Sequence, residues 1–278
     1  MRILMLGWEF PPFMAGGLGT ACFGLTRAMS RAGHDVTFVM PKAVGRGSAD
    51  YVDLLGPDSL RPMLGEITSG QARAPSSMQT RLTPEVLRTA KEIVERELVE
   101  QPGLERASIL RVPAGFESPY TEGLAVEATR EAARLKELIR VLRERGIETP
   151  LGGVGAAAML PSGAADELHA LLDSAERLCA DNSQYGKDLF GDAERYARVV
   201  AAMSTALDFD LIHAHDWLAF PAGMAVRAVT GKPLVCQVHA TEFDRSGDSI
   251  NQHVYDVERA GVHAADRVIA VSRLTAIT

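Results

Sequence analysis

Disulfide chemistry, a membrane-spanning run and a surplus of basic charge are all missing from this sequence. Its three cysteines, Cys22, Cys179 and Cys236, are odd in number, widely spaced and form no Cys-x-x-Cys pair. That pattern suggests neither a disulfide framework nor a thiolate zinc site, and it fits a reducing cytoplasm. The apolar run at residues 3–6 is far too short to cross a bilayer, and Trp8-Glu9 follows where a secretory leader would stay apolar. Lys and Arg number 29 against 36 Asp and Glu, a formal net charge of -7. Binding nucleic acid without regard to sequence needs the opposite imbalance, because Lys and Arg must displace counterions from phosphates. The expectation is a cytoplasmic protein with no nucleic-acid partner and no membrane span.

What is present is the composition of a globular protein, 46% hydrophobic and 23% charged over 278 residues. Residues 3–6, closed by Gly7, read as a strand buried on both faces, since the run lacks polar alternation. Leu18, Cys22, Leu25 and Met29 then recur at helical spacing as far as Gly33, and residues 36–40 supply a second strand ended by Pro41. From about residue 43 to 207 the character changes to helical patterns parted by Gly-, Pro- and Ser-rich loops, as expected of an insertion. Within it Leu135, Leu138, Ile139 and Leu142 form a one-sided apolar stripe, residues 109–112 read as a strand, and residues 151–163 have no clear pattern. Strand and helix then alternate: strands at 211–214, 234–238 and 267–271, helices at 217–229 and 254–263. This rhythm predicts an α/β fold, a doubly wound parallel sheet with right-handed crossovers and a mostly helical insertion.

Sheets of this kind bind ligands beyond the C-terminal ends of their strands, and three polar clusters fall there. In the first, Gly16-Gly17 lets backbone amides approach a ligand ahead of a helix N-terminus, which suits a diphosphate. A dinucleotide fingerprint is the rival and fits poorly, because residues 17–22 lack the third glycine and Met40-Pro41-Lys42 offers no acid for a ribose. In the second, His213 and His215 precede Asp216, and residues two apart on a strand share a face, so both imidazoles reach one place. With His239 they form the only basis for a rival metallohydrolase reading. The third, residues 238–245, crowds His239, Thr241, Glu242, Asp244 and Arg245 directly after a strand.

Together these residues resemble the glycogen and starch synthases and related retaining glycosyltransferases built from two Rossmann-like lobes, the GT-B type. Trp8-Glu9-Phe10-Pro11-Pro12, Gly16-Gly17-Leu18-Gly19 and Gly33-His34-Asp35-Val36 carry the resemblance at the start. Residues 210–217, the strand end at His239 and residues 265–272 carry it near the end. The resemblance implies transfer of glucose from ADP- or UDP-glucose to the non-reducing end of an α-1,4-glucan, with retention at the anomeric carbon and without a metal or other cofactor. By carry-over, His239 and Asp216 are the catalytic residues, the Gly16 and Gly17 amides face the donor diphosphate, and Glu9 lines the cleft. Residues 1–278 would then be the N-terminal, acceptor-side lobe, inactive in isolation, with the nucleotide-sugar-binding lobe absent from this chain. One departure bears on the donor: Met14 stands where many bacterial synthases have Lys. Two alternatives stay open, another retaining hexosyltransferase acting on lipid or polysaccharide, and a glucan-binding module without catalysis.

Overall fold

The computed structural model describes residues 1–11, 13, 16–42, 52–60, 63, 64, 130, 132–142, 144, 162–180, 185 and 188–277. The strand expected at 109–112 and the loops around 45–48 and 70–77 lie outside them. Six strands, β1 (Arg2–Leu6), β2 (Asp35–Val39), β3 (Asp53–Leu55), β4 (Leu211–His215), β5 (Leu234–Val238) and β6 (Arg267–Ala270), form one sheet in the order β3-β2-β1-β4-β5-β6. Every pairing is parallel. This is the doubly wound order, and it reverses between β1 and β4, so the crevice at that switch point opens beyond Leu6 and His215. β3 falls inside the span from 43 to 207 that reads as an insertion in the sequence, yet it is a strand of the sheet.

Helices cover both faces. α1 (Gly17–Arg31) lies over one, where Met5, Val36, Phe38 and Cys22 form a buried cluster. The other face packs Leu4, Leu6, Ile212, Ala214, Leu234 and Cys236 into a larger core. To that core belong residues of α2 (Ser162–Ala180), α3 (Leu189–Ser204), α4 (Phe220–Thr230) and, later in the chain, α6 (Gln252–Ala264). The predicted stripe Leu135, Leu138, Ile139 and Leu142 is buried in the same core. Tyr196 of α3 is fully buried, donates its hydroxyl to the Val39 carbonyl at 2.6 Å and meets Trp8 edge to face. Among the described residues no helix is long and apolar enough to cross a membrane.

Boundaries follow local chemistry. α1 stops where the sequence places Gly33, whose φ of +82° lets the chain leave the helix while the His34 amide returns to the Met29 carbonyl at 3.0 Å. α4 begins at Phe220 rather than Trp217, because the Asp216 carbonyl takes the amides of Ala219 and Phe220 and Pro221 sits in the first turn. Two aspartates just before strands hold their register. The Asp210 carboxylate accepts from the Arg2 amide at 2.9 Å and from its guanidinium at 2.7 Å, and Asp266 accepts from the Leu234 amide at 2.8 Å.

Helix α6 approaches α4 closely enough that a Cβ on Gly261 would lie 2.5–2.6 Å from three atoms of the Phe220 side chain, its Cβ included. Phe220 has no exposed surface and cannot yield cheaply. Gly261→Ala is expected to destabilise the fold by roughly 1–3 kcal/mol through overpacking, read as a lower denaturation midpoint in urea at unchanged slope.

Candidate functional site

Alternation along the strands sorts side chains between the two faces, and on the face under α1 strands β4 and β5 carry polar groups beside the apolar Met5 of β1. His213 and His215 of β4 and Gln237 of β5 all point there, and all are buried. Burial of uncharged polar groups is tolerable when they pair. His213 Nε2 lies 3.0 Å from Gln237 Oε1, so that nitrogen carries the proton and donates to the amide oxygen. His213 and His215 stack with centroids 4.4 Å apart, and His215 Nδ1 lies 3.0 Å from His239 Nε2 at the end of β5. His215 Nε2 is buried without a hydrogen-bond partner.

The electrostatic consequence is a row of neutral imidazoles at pH 7. Burial pushes His213 down to about 4, partly opposed by its bond to Gln237. His215 is held well below the ordinary value by burial, then by His213 and His239, and His239 is lowered by burial alone. Cys22, one turn into α1, closes the group from above; burial pushes its thiol up to about 12, with Asp216 and Glu9 adding to the effect. Cys22, His215 and His239 each offer one potential metal-ligand atom, and these atoms lie within 4.8 Å of one another.

Asp216 joins the ends of β4 and β5. Its backbone holds a left-handed φ of +60°, uncommon for a residue with a side chain. Its amide donates to the Gln237 carbonyl at 2.9 Å, and its Oδ1 accepts from the His239 amide at 2.6 Å. Burial pushes its carboxyl up to about 6, against the His239 and Ala240 amides and Arg245, which favour the charged form. Beyond His239 the chain enters α5 (Glu242–Ser246), capped by Thr241, whose hydroxyl accepts from the Asp244 amide while the Asp244 carboxylate accepts from the Thr241 amide at 2.8 Å. Asp244 is therefore committed to the cap. Arg245 binds the Ala240 carbonyl at 2.6 Å and pairs with Glu258 of α6, bracing the His239 loop.

Glu9 follows β1 and is only 2% exposed. Its Oε2 accepts from the Gly16 and Gly19 amides, both at 3.1 Å, and its Oε1 accepts from the Tyr185 hydroxyl. The carboxylate thus fastens the glycine loop to the end of β1. The Gly16 amide is engaged by Glu9, and what Gly16 and Gly17 present outward is bare space, since a Cβ on either would meet nothing within 4 Å.

The structure therefore brings His215, Asp216 and His239 into mutual contact, with Glu9 and the glycine loop at the neighbouring end of β1. Trp217 belongs to the core, 9% exposed and packed on Phe190 with ring centroids 5.2 Å apart. The sequence reading missed Cys22, Tyr185 and the Arg245–Glu258 brace. It also passed over Gln237, although a lone polar residue in the apolar run 234–238 was a legible signal. A depression of about 440 Å³ lined in part by Lys136, Arg140, Ser204 and Thr230 lies toward the opposite ends of the strands and holds none of these residues.

The fold is a doubly wound α/β lobe with buried polar side chains beside its switch point, and comparison with known proteins narrows the class. The chain belongs to the glycosyl transferase 4-like domain family, whose model matches residues 131–276. Residues 2–74 match the starch synthase catalytic domain. Glycogen synthase from two strains of Mycobacterium tuberculosis is 56% identical over 36 residues, 13% of this chain and 9% of that protein. An uncharacterized glycosyltransferase of Methanocaldococcus jannaschii is 38% identical over 56 residues, 20% of this chain and 14% of that protein. The aligned stretches thus span a small part of each relative.

His213 couples this site to stability. Unfolded, its imidazole takes a proton near pH 6.5; folded, near 4. Its contribution is present above pH 6.5, is lost as the pH falls toward 4, and changes no further below that. Asp216, raised in the fold, has the opposite slope, so the comparison is between variant and wild type. His213→Gln, which does not titrate, is expected to flatten the fall in stability between pH 6.5 and 4 by up to roughly 3 kcal/mol, measured by urea denaturation at a series of pH values.

Proposed function

We propose that this chain is the acceptor-side, N-terminal lobe of a glycogen synthase-like retaining glycosyltransferase that moves glucose from ADP- or UDP-glucose to the non-reducing end of an α-1,4-glucan. The observation that carries the reading is the meeting of His239, Asp216 and the Glu9-fastened glycine loop at adjacent strand ends beside the switch point. The matches to the starch synthase catalytic domain and to a glycogen synthase support the glucan branch of the family.

In this reading the donor sugar sits against His239. The imidazole is neutral, its Nε2 is taken by His215, and Nδ1 is left to hydrogen-bond a sugar hydroxyl. Asp216 holds the His239 backbone at 2.6 Å, so the ring is aimed before the substrate arrives. The diphosphate passes over the open surface of Gly16 and Gly17, next to the N-terminus of α1, whose partial positive charge favours the leaving group. The lobe supplies positioning and stabilisation of a departing anion, from which most of the benefit in such transfers arises. The nucleotide is bound chiefly by a second lobe. Val268 and Ile269 on β6, Val271 just after it and Leu274 on α7 (Arg273–Ile277), left 43–68% exposed, support further structure against that edge. Another hexosyl donor is the second reading, favoured by the broader match to the glycosyl transferase 4-like domain over residues 131–276.

The test is transfer of radiolabel from ADP-glucose and UDP-glucose to glycogen by the complete gene product, beside residues 1–278 alone. Transfer by the complete product only, lowered at least about 100-fold by His239→Ala, is the expected outcome. Failure with both glucose donors, with activity on a different sugar nucleotide, replaces the glucan assignment by the second reading.

A further inference from the structure

The polar row under α1 contains one feature that sugar transfer does not use. His215 has no exposed surface, and its Nε2 has no partner, an arrangement that in a native interior calls for an ion or water. Beside it lies Cys22, also with no exposed surface, on a helix from the first βα unit, and His239, at the end of the next strand over. One ligand atom from each of the three falls within 4.8 Å of the others. We propose that Cys22, His215 and His239 form a site for a soft divalent transition metal of the zinc class, reached from the side where His239 meets solvent.

The donor set argues for the metal. One sulfur and two imidazole nitrogens match zinc and disfavour magnesium or calcium, which take oxygen ligands. Zinc sites hold nitrogen at about 2.0–2.1 Å and sulfur at about 2.3 Å, so adjacent ligand atoms stand near 3.5 Å apart. Ligand atoms that stand within 4.8 Å of one another reach that spacing by shifts of the order of 1 Å. Both imidazoles are neutral, and each offers a lone pair once the bond between His215 and His239 gives way to the ion; the Cys22 thiol gives up its proton to solvent as the ion arrives. Three protein ligands leave a fourth position for water. Cysteine spacing shows nothing of this, since the ligands come from α1, β4 and the end of β5 and meet only through the sheet.

Occupancy has one consequence for function. The ion takes the place of the hydrogen bond between His215 and His239 that holds the His239 ring, so metal binding changes how that ring meets the donor sugar of the proposed transferase. That consequence rests on the proposed function; the binding site does not.

The test is titration of the purified, chelator-treated chain with cobalt(II), followed by optical absorption and by competition with zinc(II). One ion per chain is expected, with the sulfur-to-cobalt charge-transfer band of a thiolate ligand, displaced by zinc but not by a large excess of magnesium. Cys22→Ala is expected to abolish the band, and His215→Gln to weaken binding by at least about 100-fold, beyond the 10–100-fold that losing a mere supporting group costs. Cys179→Ala, on the half-buried cysteine of α2, is expected to change neither. Thermal melts establish that each variant is folded. Should Cys22→Ala fail to fold, X-ray absorption of the zinc-loaded wild type decides: one sulfur with two imidazoles sustains the site, and nitrogen and oxygen ligands alone overturn it. Absence of a charge-transfer band in the wild type, or a band that survives Cys22→Ala, also overturns it.

Discussion

The hydrogen bond from the His239 amide to Asp216 Oδ1, 2.6 Å long, ties together the ends of β4 and β5 at the point where the sheet has stopped pairing. Asp216 reaches it only by adopting a left-handed backbone, a conformation that costs energy for any residue bearing a Cβ. The cost is offset locally, because the same residue receives the Ala219 and Phe220 amides on its carbonyl and sends its own amide to the Gln237 carbonyl. The α4 start, the exit of β5 and the orientation of His239 therefore share one residue. A change at Asp216 cannot act on the site without acting on the strand ends that build it.

Around that joint the interior is divided by chemistry. One face of the sheet is aliphatic and carries the main core; the other interposes His213, His215 and Gln237 between the strands and α1. Such a layer is stable only while its imidazoles remain neutral and paired, and burial secures the first condition while Gln237 and His239 secure most of the second. A polar layer under the helix of the glycine loop places proton-bearing and lone-pair-bearing groups directly behind that loop. It also leaves one ring nitrogen of His215 unmatched, and the inferred metal site answers that vacancy in hydrogen bonding with chemistry the surrounding residues possess.

Glu9 illustrates how partners far along the chain add to what a motif says of a carboxylate. Its position beside the glycine loop was legible, and the resemblance put it in the cleft. The structure gives its oxygens to the Gly16 and Gly19 amides and to Tyr185, a residue 176 positions away. Glu9 thus acts on the loop before it meets any ligand, holding the start of α1 against β1.

The amino-acid sequence by itself determined the strand-and-helix rhythm at both ends of the chain. Buried parallel strands are short unbroken apolar runs, α1 is marked by its periodicity and its terminal glycine, and these signals are local. It also marked His213, His215, Asp216, His239 and the glycine pair, since polar groups at strand ends stand out against apolar runs. Tertiary structure alone decided which of these meet. Strand order places β4 between β1 and β5, so residues two hundred positions apart become neighbours, and α1 brings Cys22 down onto His215. The short β3, inside a span that reads as insertion, became a strand only by pairing with β2. The roles of Cys22, Tyr185 and Arg245 were invisible for the same reason: each depends on a partner fixed by long-range packing, which no window along the chain contains.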